Sequence, residues 1–138
     1  RKKFYKKFDY LKKKYTSRIF YLGVIYGNDK ITLLEESDVF VLPTYYKTEA
    51  FPISIIEAMR FGNAIVTTDH NYLSNIISDL NGFLIKKNNS RALYDSLQKL
   101  IVDKSKLCEI QNYNISSSKI KYSPSIYNLK IKNIITNL

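Results

Sequence analysis

"VFVLPTYYKTEAFPISIIEAMRFGNAIVTT", residues 39–68, carries the pattern that decides the fold. An apolar run, 39–43, stops at Pro43, and a polar loop follows. Pro52 then opens a stretch with helical spacing that reaches about Phe61, and a second apolar run occupies 63–68. Short runs that are nearly all apolar suit strands buried on both faces. Proline in the first helical turn loses nothing, because that N–H has no partner inside the helix. Strand, helix and strand in this order predict a parallel pair joined by a helical crossover.

Working outward, the alternation continues. Downstream, "YLSNIIS" (72–78) reads as a short helix and "GFLI" (82–85) as a strand. "NNSRALYDSLQKLIVD" reads as a capped helix from about residue 90, with a further helix over 104–113. "SPSIYNLKIKNIITNL" closes the chain, with Ser123 as cap and Pro124 at the first helical position. Upstream, "NDKITLLEESD" (28–38) is a helix with Asn28 or Asp29 as N-cap, and "RIFYLG" (18–23) reads as a buried strand ending at glycine. "KKFYKKFDYLKKKY" (2–15) puts Phe4, Phe8 and Leu11 on one thin apolar stripe among lysines. The expected fold class is α/β: one Rossmann-like three-layer domain over 1–138 around a parallel sheet. Its parts are a basic amphipathic helix (1–17), a core (18–102) and C-terminal helices (103–138). There is no internal repeat and no Gly-rich linker.

The chain of 138 residues is 45% apolar, enough for one real core, and carries a formal charge of +10. That charge is uneven. Residues 1–20 hold nine Lys/Arg against one Asp, residues 21–100 seven against nine acidic, and residues 101–138 six against two. Basic ends on a slightly acidic middle suit an anionic membrane surface or a nucleic acid. Aromatics among the lysines of 2–15 fit a membrane interface, whereas no nucleic-acid recognition signature accompanies them, so nucleic acid is not expected as a partner. Cys108 is the single cysteine, so no internal disulfide forms, and no Cys/His cluster suggests zinc. No apolar run approaches the ~20 residues of a membrane-spanning helix. The expected location is cytoplasmic, peripheral on the inner face of the membrane.

Two carboxylates, Glu49 and Glu57, stand eight residues apart around the start of the helix at Pro52. Ligands of open parallel sheets bind beyond the carboxyl ends of the strands. The amides opening that helix suit a phosphate, and Glu57, a turn and a half in, could grip a vicinal diol such as ribose. The plainer alternatives are a surface ion pair between Glu57 and Arg60, and a Glu49 stabilised by the helix dipole alone. Lys47 could add phosphate charge or simply be solvated. His70, at a strand's carboxyl end, could bond a sugar or phosphate or lie idle near the surface.

"YLGVIYGNDKITLLEESDVFVLPTYYKTEAFPISIIEAMRFGNAIVTTDHNYLSNIISDLNGFLI" resembles the C-terminal, donor-binding domain of the retaining glycosyltransferases of family four, glycosyl transferases group 1, which have the GT-B fold. The likeness runs from about 19 to 102 and includes Leu22-Gly23, the 38–43 strand, Glu49-x7-Glu57-Ala58-Met59, Gly62 and Asn81-Gly82-Phe83-Leu84. The resemblance implies that Glu49 contacts the transferred sugar and supports charge at the reacting carbon. It implies that amides of Ala50, Phe51 and Ile53, around Pro52, hold sugar and diphosphate, that Glu57 binds the ribose, and that Gly23, Val24 and Ile25 meet the nucleobase. The implied reaction is transfer from a nucleotide-sugar with retention, without a metal or other cofactor, in synthesis of bacterial surface polysaccharide. No Asp-x-Asp pair is present to chelate a diphosphate-bound cation.

The chain departs from the family pattern in places. The loop "TYYKTEAF" is longer than usual, Ala50 replaces a common glycine, and Asn71-Tyr72 and Ser74-Asn75 stand where Gly-Gly and Pro-Glu are usual. The strand–helix units that normally precede this region, with a phosphate-neutralising Arg and Lys, are not matched, nor is an acceptor domain. The chain alone is therefore expected to turn over little. The alternative of another class is a truncated, non-catalytic binding or interaction domain.

Overall fold

The computed structural model describes residues 2–48 and 52–136, and divides into two compact units at Lys30 and Ile31. In the first unit, helix α1 (Lys2–Lys14) ends on three consecutive lysines, Lys12, Lys13 and Lys14, which suit the negative end of a helix dipole. Phe8 meets Tyr21 edge to face, with ring centroids 5.7 Å apart.

The strand expected at 18–23 does not form. These residues run as a turn and an unpaired segment, with Phe20 70% and Leu22 56% exposed. Composition alone cannot make a strand, because its N–H and C=O groups need a paired neighbour. Helix α2 (Gly27–Glu35) then starts at Gly27, one residue before the caps expected at Asn28 or Asp29.

The rest of the alternation follows the sequence reading. It comprises β1 (Val39–Leu42), α3 (Ile53–Arg60), β2 (Ala64–Thr68), α4 (Leu73–Ile76), β3 (Gly82–Ile85), α5 (Ser90–Val102), α6 (Lys104–Lys121) and α7 (Pro124–Thr136). Asn89 caps α5 by accepting from the Ala92 N–H, and Asp103 caps α6 by accepting from Lys106 N–H. Helix α6 runs on to Lys121, well past the expected residue 113.

The three strands pair in parallel in the order β1-β2-β3, with Val41 opposite Val66 and Thr67 opposite Leu84. Strand β2 lies in the middle and is buried along its whole length. Its alternating side chains enter two separate cores. Ile65 packs with Leu34, Ile55, Ala58, Met59, Leu73 and Ile77. Ala64 and Val66 face the other way, onto Ile85, Leu100, Leu107 and Ile110. Helices thus cover both faces of the sheet, which is the three-layer α/β arrangement.

At the amino end of the sheet, a buried amide network closes the structure. Asn114 of α6 donates to the carbonyls of Asn63 and Asn81, and Asn81 donates back to the Asn114 side-chain oxygen. Asn63 in turn donates to the carbonyls of Leu34 and Ser37. Gly82 follows at φ 148, with its Cα against the Ile65 backbone.

Candidate functional site

The opposite, carboxyl edge of the sheet is where the sequence reading expects the ligand. Two loops meet there: residues 43–48 after β1, and residues 69–72 after β2. Backbone pairing between β1 and β2 ends at Leu42 and Thr67, and side chains continue it. Thr67 donates its hydroxyl to the Leu42 carbonyl at 2.7 Å. Thr68 donates to the Thr44 carbonyl. His70 follows through Nε2 to the Tyr46 carbonyl at 2.9 Å, and Asn71 Nδ2 to the Lys47 carbonyl at 3.2 Å. Within the first loop, Tyr46 N–H donates to the Thr44 hydroxyl at 3.2 Å.

His70 is 7% exposed, so it is neither idle at the surface nor open to solvent. Its bond to a carbonyl requires the proton on Nε2, which leaves Nδ1 as an acceptor. That atom is buried without a hydrogen-bond partner among the described residues. Asn71 sits at φ 50, a left-handed conformation that asparagine tolerates better than most residues. The part His70 and Asn71 play in holding the neighbouring loop is absent from the sequence reading. Its one signal there is a run of hydrogen-bonding side chains, Thr67-Thr68-Asp69-His70-Asn71, at and just beyond the end of a buried strand.

Helix α3 starts beyond the carboxyl end of β1. Pro52, buried at its N-cap, offers no side-chain oxygen, so the first turn is not capped by it. A first helical turn leaves amides without intrahelical partners and a positive dipole end, a combination that favours anions. Ile53, the first residue of α3, is 69% exposed, while Ile55, Ala58 and Met59 are wholly buried and fix the helix to the sheet. Glu57 lies on the same helix and is half-buried.

The structure therefore brings Pro52, Ile53 and Glu57 together on one helix, and Lys47 and His70 together at the paired loops. Lys47 is exposed and lies in a turn. Glu49, Ala50 and Phe51 lie outside the described residues. Gly23, Val24 and Ile25 belong to the first unit, with Gly23 at φ 68 and Val24 77% exposed. Among the described residues, no group of three or more His, Cys, Asp or Glu side chains could hold a metal ion, and no helix is long and apolar enough to cross a membrane.

The family described as glycosyl transferases group 1 matches residues 2–117. A Campylobacter jejuni enzyme, N,N'-diacetylbacillosaminyl-diphospho-undecaprenol alpha-1,3-N-acetylgalactosaminyltransferase, is 30% identical over 125 residues, covering 84% of this chain and 32% of its own. The O-antigen chain mannosyltransferase C of Escherichia coli is 26% identical over 86 residues, 61% of this chain and 23% of its own. The chain thus spans a third or less of the length of these curated relatives. Among solved structures, sucrose-phosphate synthase from Thermosynechococcus elongatus superposes with a TM-score of 0.79 at 19% identity, over 96% of this chain and 33% of that one. Anabaena HepE in complex with UDP-glucose superposes at 0.77 with 20% identity, over 94% and 36%. These likenesses establish the fold as a Rossmann-like half of the GT-B type. The chain belongs to the glycosyl transferases group 1 family.

Proposed function

From this membership we propose that the protein carrying this chain is a hexosyltransferase, and that the chain supplies its donor-binding side. A sugar passes from a nucleotide-sugar to a glycan or lipid acceptor with retained anomeric configuration, in synthesis of a bacterial surface polysaccharide. The names of the relatives, which act on undecaprenol-linked and O-antigen glycans, support the acceptor class. The UDP-glucose bound by Anabaena HepE supports the donor class.

In this reading the diphosphate lies at the amino end of α3, against amides of Ala50, Phe51 and Ile53, with Lys47 adding positive charge. Glu57 accepts two hydrogen bonds from the ribose diol, and Gly23, Val24 and Ile25 meet the nucleobase. Glu49 contacts the sugar and supports charge at the reacting carbon, as preorganised groups do in transfer reactions. No metal or other cofactor takes part. The acceptor binds through residues outside this chain. The lysine-rich α1, with exposed Tyr5 and Tyr10, suits contact with an anionic membrane surface at the cytoplasmic face.

The family match over residues 2–117 carries this reading. A saturation-transfer NMR screen of the chain against UDP-, GDP- and ADP-linked sugars tests it, with Glu57→Ala alongside. One of the three is expected to bind, and the variant to lose it. A folded chain silent toward all three would overturn the donor role, and binding unchanged by Glu57→Ala would overturn the ribose assignment.

A further inference from the structure

We infer that the cavity at the carboxyl ends of the three strands is a subsite for one sugar ring that carries a carboxylate, an acidic pyranose. It goes beyond the donor assignment, takes no lining residue from α3, and stands or falls separately from that reading.

The cavity has a volume of about 290 Å³ and forms where all three strands end. Pro43 follows β1, Thr68 closes β2, Ile85 closes β3 and Ser90 opens α5. This is the edge at which open parallel sheets bind their ligands. Pockets for drug-sized molecules span about 300–1,000 Å³, so a volume just below that range suits a ligand of a single ring.

The two sides of the cavity differ in chemistry. Thr68 and Ile85 are buried and Leu93 is half-buried, and with Pro43 they make a mainly apolar wall. Lys86, Asn88 and Ser90 are exposed on the outer side, as is Tyr45 at 67%. A pyranose has the same division, with C–H groups on its faces and hydroxyls around its edge. The Tyr45 ring offers such a face an apolar platform with a polar tip.

The polar groups sort into spent and unspent. The Thr68 hydroxyl goes to the Thr44 carbonyl, within the ladder of side chains that joins the two loops, and Asn89 Oδ1 accepts from the Ala92 N–H. The side chains of Lys86, Asn88 and Ser90 make no hydrogen bond or ion pair with another described residue. No Asp or Glu is among the lining residues; Asp69 stands outside them, and Arg91 is already paired with Asp95 at 3.1 Å. Lys86 is therefore the one charge in the lining, and it selects an anionic group. A hard metal ion would need carboxylates there. An acyl chain would cover three polar side chains without satisfying them.

The test adds two probes to the full 138-residue chain: methyl glucoside and the matching methyl glucuronide, which differ only in the carboxylate. Backbone amide shifts are followed by NMR. Both sugars should move the amides of Tyr45 and of residues 86–90. The glucuronide should bind about threefold more tightly, as expected of an exposed ion pair. Lys86→Gln should make the two sugars equal. Tyr45→Ala should weaken both about fivefold, and Tyr45→Phe should keep them. All three variants change exposed positions and should melt with the parent; if Tyr45→Ala does not fold, Lys86→Gln and Tyr45→Phe still decide.

No movement at 86–90 with either sugar, equal affinity of both for the parent, or a preference that survives Lys86→Gln would overturn the inference. So would inorganic phosphate moving the same amides as strongly as the glucuronide, which would leave an anion site only. Shifts confined to residues 53–57 would put the sugar on α3 and remove the subsite. Shifts at 86–90 in a chain that binds no nucleotide-sugar would uphold the subsite while the donor reading fails.

Discussion

Asn81 and Asn114, 33 positions apart, exchange hydrogen bonds: Asn114 Nδ2 donates to the Asn81 carbonyl at 3.0 Å, and Asn81 Nδ2 donates to Asn114 Oδ1 at 2.8 Å. Both residues are almost wholly buried, and the same Asn114 amide also reaches the Asn63 carbonyl. One side chain of α6 thereby ties down the starts of β2 and β3.

Asn114→Ala is expected to be among the more damaging substitutions in the chain. It strips the Asn114 partner from the Asn63 carbonyl and from the Asn81 amide, each costing about 1–3 kcal/mol when left buried and unpaired, while the Asn81 carbonyl keeps the Ile65 N–H. Urea denaturation should show a loss of at least about 2 kcal/mol. A variant as stable as the parent would show that water or a shift of α6 replaces the network.

Gly82→Ala should be worse. An added Cβ would lie 1.8 Å from the Ile65 carbonyl oxygen, and φ is 148, where side chains are strained in any case. Backbone on both sides cannot yield without breaking the β2–β3 pairing, so a loss above about 3 kcal/mol or failure to fold is expected. Thermal melts with circular dichroism decide it. A cooperative melt near the parental temperature would contradict the geometry.

Glu57→Ala should leave the fold intact and weaken the nucleotide-sugar. Hydrogen bonds to a charged group contribute about 1.5–3 kcal/mol, which corresponds to about 10- to 150-fold in Kd. The melting curve should stay put, since the side chain is only half-buried. A destabilised variant with normal affinity would make Glu57 a structural residue.

Tyr122 gives the alkaline limit. Burial raises its pKa above 10.0, opposed in part by the positive charge of Lys121, and the ring packs against the Ile65 core. The unfolded chain therefore loses this proton first. Its contribution is intact below pH 10.0 and is lost as pH climbs through the raised folded value. Stability measured from pH 9 to pH 11.5 should fall more steeply in the parent than in Tyr122→Phe. Identical slopes would refute this.

Helix α1 should draw the protein to anionic lipid. Each basic residue at such a surface adds about 1 kcal/mol. Replacing Lys12, Lys13 and Lys14 by Gln should cut sedimentation with phosphatidylserine vesicles by at least about tenfold, and salt should do the same to the parent. Equal sedimentation of both proteins would leave α1 without this role.

What sequence reveals here is what is local. Runs 39–43, 63–68 and 82–85 are strands, being short, mostly apolar and bounded by turn residues, and Pro52 and Pro124 mark helix starts by chemistry that needs no partner. The stretch at 18–23 looks the same in composition but lacks pairing, which composition cannot encode. The asparagines 63, 81 and 114 are invisible for the same reason: each reads alone as a turn or helix-surface residue, and only the folded chain makes them partners. The candidate site divides likewise. Glu57 and Pro52 fall on the expected helix, whereas the hold of His70 on Tyr46 needs two loops 24 residues apart to meet. Those two loops are also where the chain departs from the family pattern in length and in residue type.

The ladder between those loops is one-sided. Thr67, Thr68, His70 and Asn71 contribute side chains, while Thr44, Tyr46 and Lys47 contribute only carbonyl oxygens, which every amino acid owns. The receiving loop can therefore exchange its exposed Tyr45, Tyr46 and Lys47 for other residues and still follow the same path. Variation is free on one side of the pair of loops and constrained on the other. Such a division lets a lineage try new surfaces at the carboxyl edge of the sheet without having to rebuild the frame that carries them.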